Sequence, residues 1–101
     1  IGESAREPVR KKIIDAIEGS EGVTAVLHMR TQHIGPDQIL VAAEIQMDSA
    51  LDTAGVAEAI DRAEERVSAA VPIAAMIYLE PEGVSFANPK SRARRARATS
   101  R

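Results

Sequence analysis

Few side chains in this sequence could do chemistry, and their spacing limits what they could build. There are two histidines, His28 and His33, fifteen Asp or Glu and no cysteine. His28 falls in the middle of the apolar run Val23-Thr24-Ala25-Val26-Leu27-His28-Met29-Arg30-Thr31, and His33 stands four residues before Asp37, beside the turn signal Gly35-Pro36-Asp37. The plain reading is two partly solvated side chains on a hairpin. The sharper reading is metal ligation. Strand parity places Leu27 on the core face with Ile39 and turns His28 the other way, toward Glu44, Tyr78 and Glu80. One imidazole with one or two carboxylates, His28 with Glu44 and Glu80, could hold Zn²⁺ or a similar divalent ion.

Other chemistries find no starting point. Without cysteine there is no disulfide framework, thiolate site or redox couple. The serines lie in loops, caps or the C-terminal stretch, and none sits in a G-x-S-x-G context. The six glycines are scattered and form neither a P-loop nor a dinucleotide fingerprint. Nucleic-acid binding would need a basic face with stacking aromatics, but Tyr78 and Phe86 are the whole aromatic content. The reading is therefore of a protein that is not an enzyme, with no nucleic-acid partner.

The elements that must position these residues are legible. Glu7-Pro8 opens a helix over residues 8–18, with Val9, Ile13 and Ile17 forming one apolar stripe and Gly19 closing it. Residues 1–7 are read as a lead-in or linker. A strand over 23–31 runs on toward Ile34. After the turn, Ile39, Val41, Ala43, Ile45 and Met47 alternate with Leu40, Ala42, Glu44 and Gln46, which is a half-buried strand hairpinned to the first. Asp52 or Thr53 caps a second helix over 53–70 with Val56, Ile60, Ala63 and Val67 inward, and Pro72 ends it. Its Glu58, Asp61, Glu64 and Glu65 read as a solvated face, with Arg62 four residues after Glu58 for local pairing. A last strand spans 73–80. The order α-β-β-α-β calls for two helices on one face of a three-stranded sheet, an α+β architecture. Arg30 reads as one half of a surface salt bridge.

Length and charge complete the picture. The 101 residues make one domain. Its core is thin, since eighteen residues are Ala and 2% are aromatic. A chain this small buries only about 60–65% of its unfolded surface, so pairing with a second copy would help it. Residues 1–82 carry all fifteen acids against seven bases, a net of −8, while residues 83–101 carry six bases and no acid. That basic stretch is read as a disordered tail over 83–101, solubilising or touching anionic lipid headgroups. No run of about 18 apolar residues is present. The non-Met start is read as a piece of a longer protein or a processed one.

Several stretches resemble a known family. Ile1-Gly2-Glu3-Ser4-Ala5 is similar to the segment after the last transmembrane helix of cation diffusion facilitator transporters. Gly22-Val23, then Leu27-His28-Met29-Arg30-Thr31 and Gly35-Pro36, resemble the first hairpin of that family's cytoplasmic C-terminal domain. Leu40-Val41-Ala42-Ala43-Glu44-Ile45, the helix holding Glu64, and Ile77-Tyr78-Leu79-Glu80-Pro81-Glu82 match its later elements in order. The resemblance implies a two-layer metallochaperone-like (ferredoxin-like) fold over residues 8–82. It implies a non-catalytic homodimerisation domain at the cytoplasmic face of the cell membrane, partnered with a transmembrane domain of the same chain. The transporter it serves would exchange a divalent cation such as Zn²⁺ for protons, with metal regulating it in many members.

The family's ligand pattern is largely replaced. Where metal-sensing members place His before the Asp-Leu-Arg of the first strand, this chain has Leu27, with His28 one residue later. The second-strand His falls on Glu44, the His opening the second helix falls near Ala57, and the last strand's His and Asp fall on Tyr78 and Glu80. Only Glu44 and Glu80 keep ligand chemistry, with His28 as a displaced substitute. The resemblance thus implies a branch that dimerises without the usual regulatory metal site. The alternative is a soluble metallochaperone-like metal-binding protein, and a third reading is a small ferredoxin-like enzyme needing an enclosed pocket.

Overall fold

A computed structural model describes residues 2–82, and the stretch read as a basic tail lies outside them. Helix α1 is Glu7–Glu18, β1 is Val23–Gly35, β2 is Gln38–Met47, α2 is Thr53–Ala70 and β3 is Ala74–Pro81. The sheet order is β1-β2-β3, with β1 antiparallel and β3 parallel to the central β2. Returning from β2 to a parallel neighbour requires a crossover, which α2 supplies. Both helices lie on one face, where Ile39, Val41, Ala43 and Ile45 of β2 are all buried against Ile13, Ile17, Ala63 and Val67. Alternation along β2 leaves Leu40, Ala42, Glu44 and Gln46 on the opposite face, which no element of the described residues covers.

Local chemistry explains the helix ends. Pro8 stands in the first turn of α1, where its missing N–H has no helical partner to lose. Asp52 caps α2 by accepting from the Gly55 N–H at 2.7 Å. Gly19 ends α1 for a different reason from the one its position suggests. Its φ is −80°, an ordinary helical value. A Cβ there would instead meet the Arg66 Nη2 at 2.6 Å and the Asp15 carbonyl at 3.0 Å. Arg66 passes over it to donate from Nε to the Ala16 carbonyl at 2.8 Å. A cation thus reaches the carbonyl end of α1, whose own last turn has no basic residue. Arg62 likewise donates to the Glu21 carbonyl at 3.2 Å. The pairing expected between Arg62 and Glu58 is not among the ion pairs of the described residues, and Arg62 reaches the Glu21 carbonyl instead.

Gly22 does need its glycine twice over. Its φ is +93°, and a Cβ would lie 2.8 Å from the Cβ of Ala59 in α2. The alanines of α2 serve the same end, since Ala59 and Ala63 are fully buried and let the helix sit close.

The lead-in is attached rather than trailing. Gly2 donates its N–H to the His33 carbonyl at 2.8 Å, the His33 N–H goes to the Glu3 carbonyl at 2.7 Å, and the Ala5 N–H goes to the Thr31 hydroxyl oxygen at 2.9 Å. As the lead-in rises from 2 to 5 its partners fall from 33 to 31, so it runs antiparallel along the outer edge of β1. Thr31 and Ala5 are both buried. Thr31→Val should therefore strand the Ala5 N–H without an acceptor and cost about 1–3 kcal/mol, measured as a lower urea midpoint with an unchanged slope. A loss under about 0.5 kcal/mol would mean that the Thr31 hydroxyl contributes little and that the backbone bonds of Gly2, Glu3 and His33, with packing, hold this edge.

Candidate functional site

The candidate residues meet on the uncovered face of the sheet. Register sets His28 opposite Glu44 and Glu44 opposite Glu80, so the three form one row across all three strands. The next row is Arg30, Ala42 and Tyr78, and the one beyond is Gln32, Leu40 and Met76. The first two rows line a shallow concavity of about 500 Å³, with His28, Arg30, Glu44, Tyr78 and Glu80 at its wall.

A local irregularity produces this alignment. Val26 pairs with Ile45 and His28 with Glu44, so Leu27 is an extra residue against β2, a β-bulge. The bulge turns Leu27 outward, where it is 38% exposed. The expectation that Leu27 shares the core face with Ile39 is thus corrected, and Val26 and Met29 pack against the core in its place. The Val26 N–H is held by the Glu18 Oε2 at 3.0 Å, tying the bulge to α1.

The same register separates the two histidines. His33 pairs with Ile39, on the side of the core, and shares no row with His28. Arg30 forms no ion pair among the described residues, against the expectation of a salt bridge. It is exposed in the row of Tyr78.

One imidazole and two carboxylates at strand spacing are separated by roughly 5 Å steps. They lie along a line rather than around a point. Among the described residues no group of three or more His, Asp or Glu is placed to hold a metal ion. The row of a single chain therefore does not fit a resident metal without a change of rotamers or further donors.

The face has a second character that residue-type searching misses. Tyr78 is 49% and Met76 42% exposed on this face, and with Leu27 at the bulge, 38%, they are the large apolar side chains most open to solvent among the described residues. Exposed apolar groups grouped on one face mark a docking surface more often than a solvated one. Parity along β3 could have found Met76 and Tyr78, but the Leu27 position depends on the bulge.

Comparison with known proteins follows the same lines. Compared with curated protein sequences, the chain finds no match. Among solved structures, the fold is similar to the nickel form of a MamM CTD variant, with TM-score 0.71 and 22% identity over 76% of this chain and 96% of that one. A cadmium form of another MamM CTD variant gives TM-score 0.71 and 22% identity over 75% and 94% of the two chains. A third variant gives 0.72 and 23% over 77% and 96%. At these identities the likeness is one of fold, and it repeats the α-β-β-α-β order with two helices on a three-stranded sheet. Residues 5–82 match the family described as "Cation efflux protein, cytoplasmic domain", a dimerisation domain. The match spans every element from the lead-in at Ala5 to the end of β3, and the chain belongs to this family of cation efflux protein cytoplasmic domains.

Proposed function

We propose that the chain is the homodimerising module of a divalent cation/proton antiporter, acting at the cytoplasmic face of the cell membrane beside a transmembrane domain of the same chain. Two copies meet through the uncovered face of the sheet. The observation that carries this reading is the exposure of Met76 and Tyr78 on the face that neither helix covers. The module has no catalytic step of its own. It sets the separation of the two transporter halves, and the strength of its pairing is what regulates them.

His28, Glu44 and Glu80 act in this reading as weak contacts for Zn²⁺ or another divalent cation, not as a built metal centre. A two-fold pairing brings two such rows close, and each copy adds an excess of acid, fifteen acidic against seven basic residues over residues 1–82. Like charges repel across the interface, so salt and divalent cations tighten the pair by screening. The basic residues of 83–101 supply contact with anionic lipid headgroups.

Sedimentation equilibrium of the chain tests this directly. The expected result is a dimer that persists in EDTA, with a dissociation constant that falls as ionic strength rises. Zn²⁺ should then tighten it no more than Mg²⁺ at equal ionic strength. A monomer that pairs only on adding Zn²⁺ would overturn the metal-independent reading and restore a sensing site at His28, Glu44 and Glu80. A chain that stays monomeric while binding Zn²⁺ would point to a soluble metal carrier instead.

A further inference from the structure

The helix layer carries two arginines whose charge no described residue answers. Arg62 and Arg66 stand one turn apart on α2, close enough for like charges to repel. Glu58 and Glu65 lie within about a turn of Arg62 on the same helix, yet no ion pair among the described residues includes either arginine. Both guanidiniums instead reach across to α1 and the turn after it. Arg66 donates to the Ala16 carbonyl at 2.8 Å and Arg62 to the Glu21 carbonyl at 3.2 Å. A carbonyl is a neutral acceptor, so each contact fixes a guanidinium without cancelling its charge. Each uses a single N–H in this way, and no described residue takes the others.

The two side chains line a shallow cavity of about 460 Å³ with Gly19, Ser20, Glu21 and Glu65. Ser20 supplies a second, independent observation. It is 4% exposed, and its Oγ is buried without a hydrogen-bond partner. Its backbone is satisfied, since the N–H goes to the Ile17 carbonyl at 3.1 Å and the carbonyl accepts from the Val23 N–H at 3.2 Å. The hydroxyl is therefore the unanswered group, and a buried hydroxyl without a partner is destabilising. Its hydrogen rotates freely, so it can donate to an acceptor that enters the cavity.

We infer that this cavity is a binding site for a phosphate group, carried by inorganic phosphate or a small phosphate monoester in solution. Two guanidiniums present forked N–H donors and Ser20 adds a hydroxyl, a set that suits several acceptor oxygens sharing negative charge. A carboxylate would fill one fork and leave the other open. Gly19 keeps the space, because a Cβ there would lie 2.6 Å from the Arg66 Nη2. The groups that oppose an anion are the carbonyl end of α1, which Arg66 already caps, and the carboxylates of Glu21 and Glu65. Both glutamates are exposed and have room to turn to solvent.

Position separates this site from the pairing surface. It lies in the helix layer, on the other side of the sheet from Met76 and Tyr78, so it does not rest on how two copies meet. It also stands by the Val23 end of β1, whereas the lead-in is bonded to His33 and Thr31 toward the other end. On the proposed reading the lead-in is the side of the transmembrane domain. Roughly 40 Å of strand then separates the cavity from a lipid headgroup, which favours a solute.

Heteronuclear NMR of the full 101-residue chain tests the inference, with inorganic phosphate titrated against chloride at matched ionic strength and pH. The expected result is saturable shifts at the Ser20 and Glu21 amides and at the Arg62 and Arg66 Nε–H signals, absent with chloride. Arg62→Gln should weaken phosphate binding at least about tenfold. Glu65→Gln should tighten it about two- to fivefold. Ser20→Ala should weaken binding about three- to tenfold while holding or raising the urea midpoint without phosphate, because it deletes an unpartnered hydroxyl. A lower midpoint with unchanged affinity would show a merely structural serine and overturn its role. No saturable shift at these four residues, shifts confined to residues 83–101, or an affinity unchanged by Arg62→Gln would each overturn the inference. Phosphatidylcholine vesicles carrying phosphatidic acid, a lipid phosphate monoester, distinguish the source. Perturbation of the same residues by vesicles but not by inorganic phosphate would overturn the solute as the ligand.

Discussion

Ile45→Ala should lower the unfolding free energy by about 2–5 kcal/mol, the largest loss expected from any single truncation on the central strand. Ile45 is fully buried near the C-terminal end of β2, opposite Val26 of β1 and beside Pro81 of β3, and belongs to the core between sheet and helices. A domain with total stability of about 5–15 kcal/mol has little margin for such a cavity. The thinness of this core sharpens the effect, because the core cluster that holds Ile45 includes Ala16 and Ala63, which have no longer side chain to relax into a space. The measurement is the urea midpoint at constant slope, with Leu27→Ala as the control. Leu27 is 38% exposed at the bulge, and its truncation should change stability by no more than about 1 kcal/mol. Equal losses from the two substitutions would contradict the placement of the core.

Tyr78→Asp should do the opposite, leaving the fold intact and breaking the pair. Tyr78 is 49% exposed and lies in the central row of the uncovered face, flanked through Ala42 by Arg30. Aromatic side chains at the centre of an interface commonly contribute about 2 kcal/mol or more, so the dissociation constant should rise at least about 30-fold. The new carboxylate would join Glu44 and Glu80 one row away, and added salt should recover part of the loss. Sedimentation equilibrium reads the dissociation constant, and an unchanged urea midpoint for the monomer shows that the fold survives. If Tyr78→Asp pairs as tightly as the parent, the uncovered face is not where two copies meet, and the helix side or the β3 edge becomes the interface to test.

The two substitutions together separate the layers of the molecule. Ile45 and Tyr78 lie on opposite faces of one sheet, on adjacent strands and three residues apart in register, yet the first substitution should act on folding and the second on association. Between them stands the row of His28, Glu44 and Glu80.

Much of this arrangement follows from local pattern. The second helix spans Thr53–Ala70, as its apolar spacing and the Asp52 cap require, and α1 begins one residue before the expected position. Alternation along β2 identifies its buried side from the residue types, because a period of two admits one assignment when one face is uniformly apolar. The sequence also places His28, Glu44 and Glu80 on one face. What it does not carry is the pairing in detail. The bulge at Leu27 depends on how β1 meets β2, and nothing in Val26-Leu27-His28 distinguishes the extra residue from its neighbours. The roles of Arg62 and Arg66 depend on carbonyls 41 and 50 residues away, and the attachment of the lead-in depends on a hydroxyl 26 residues away.

The division has a physical basis. Helix periodicity, capping and strand alternation are set by residues within a few positions of one another, so the chain by itself determines its elements, their order and the face each one buries. Register, bulges and the partners of long polar side chains are set by groups that meet only once the helices lie on the sheet. The tertiary structure alone decided that Leu27 faces solvent at the bulge and that the three candidate ligands form one line across the sheet.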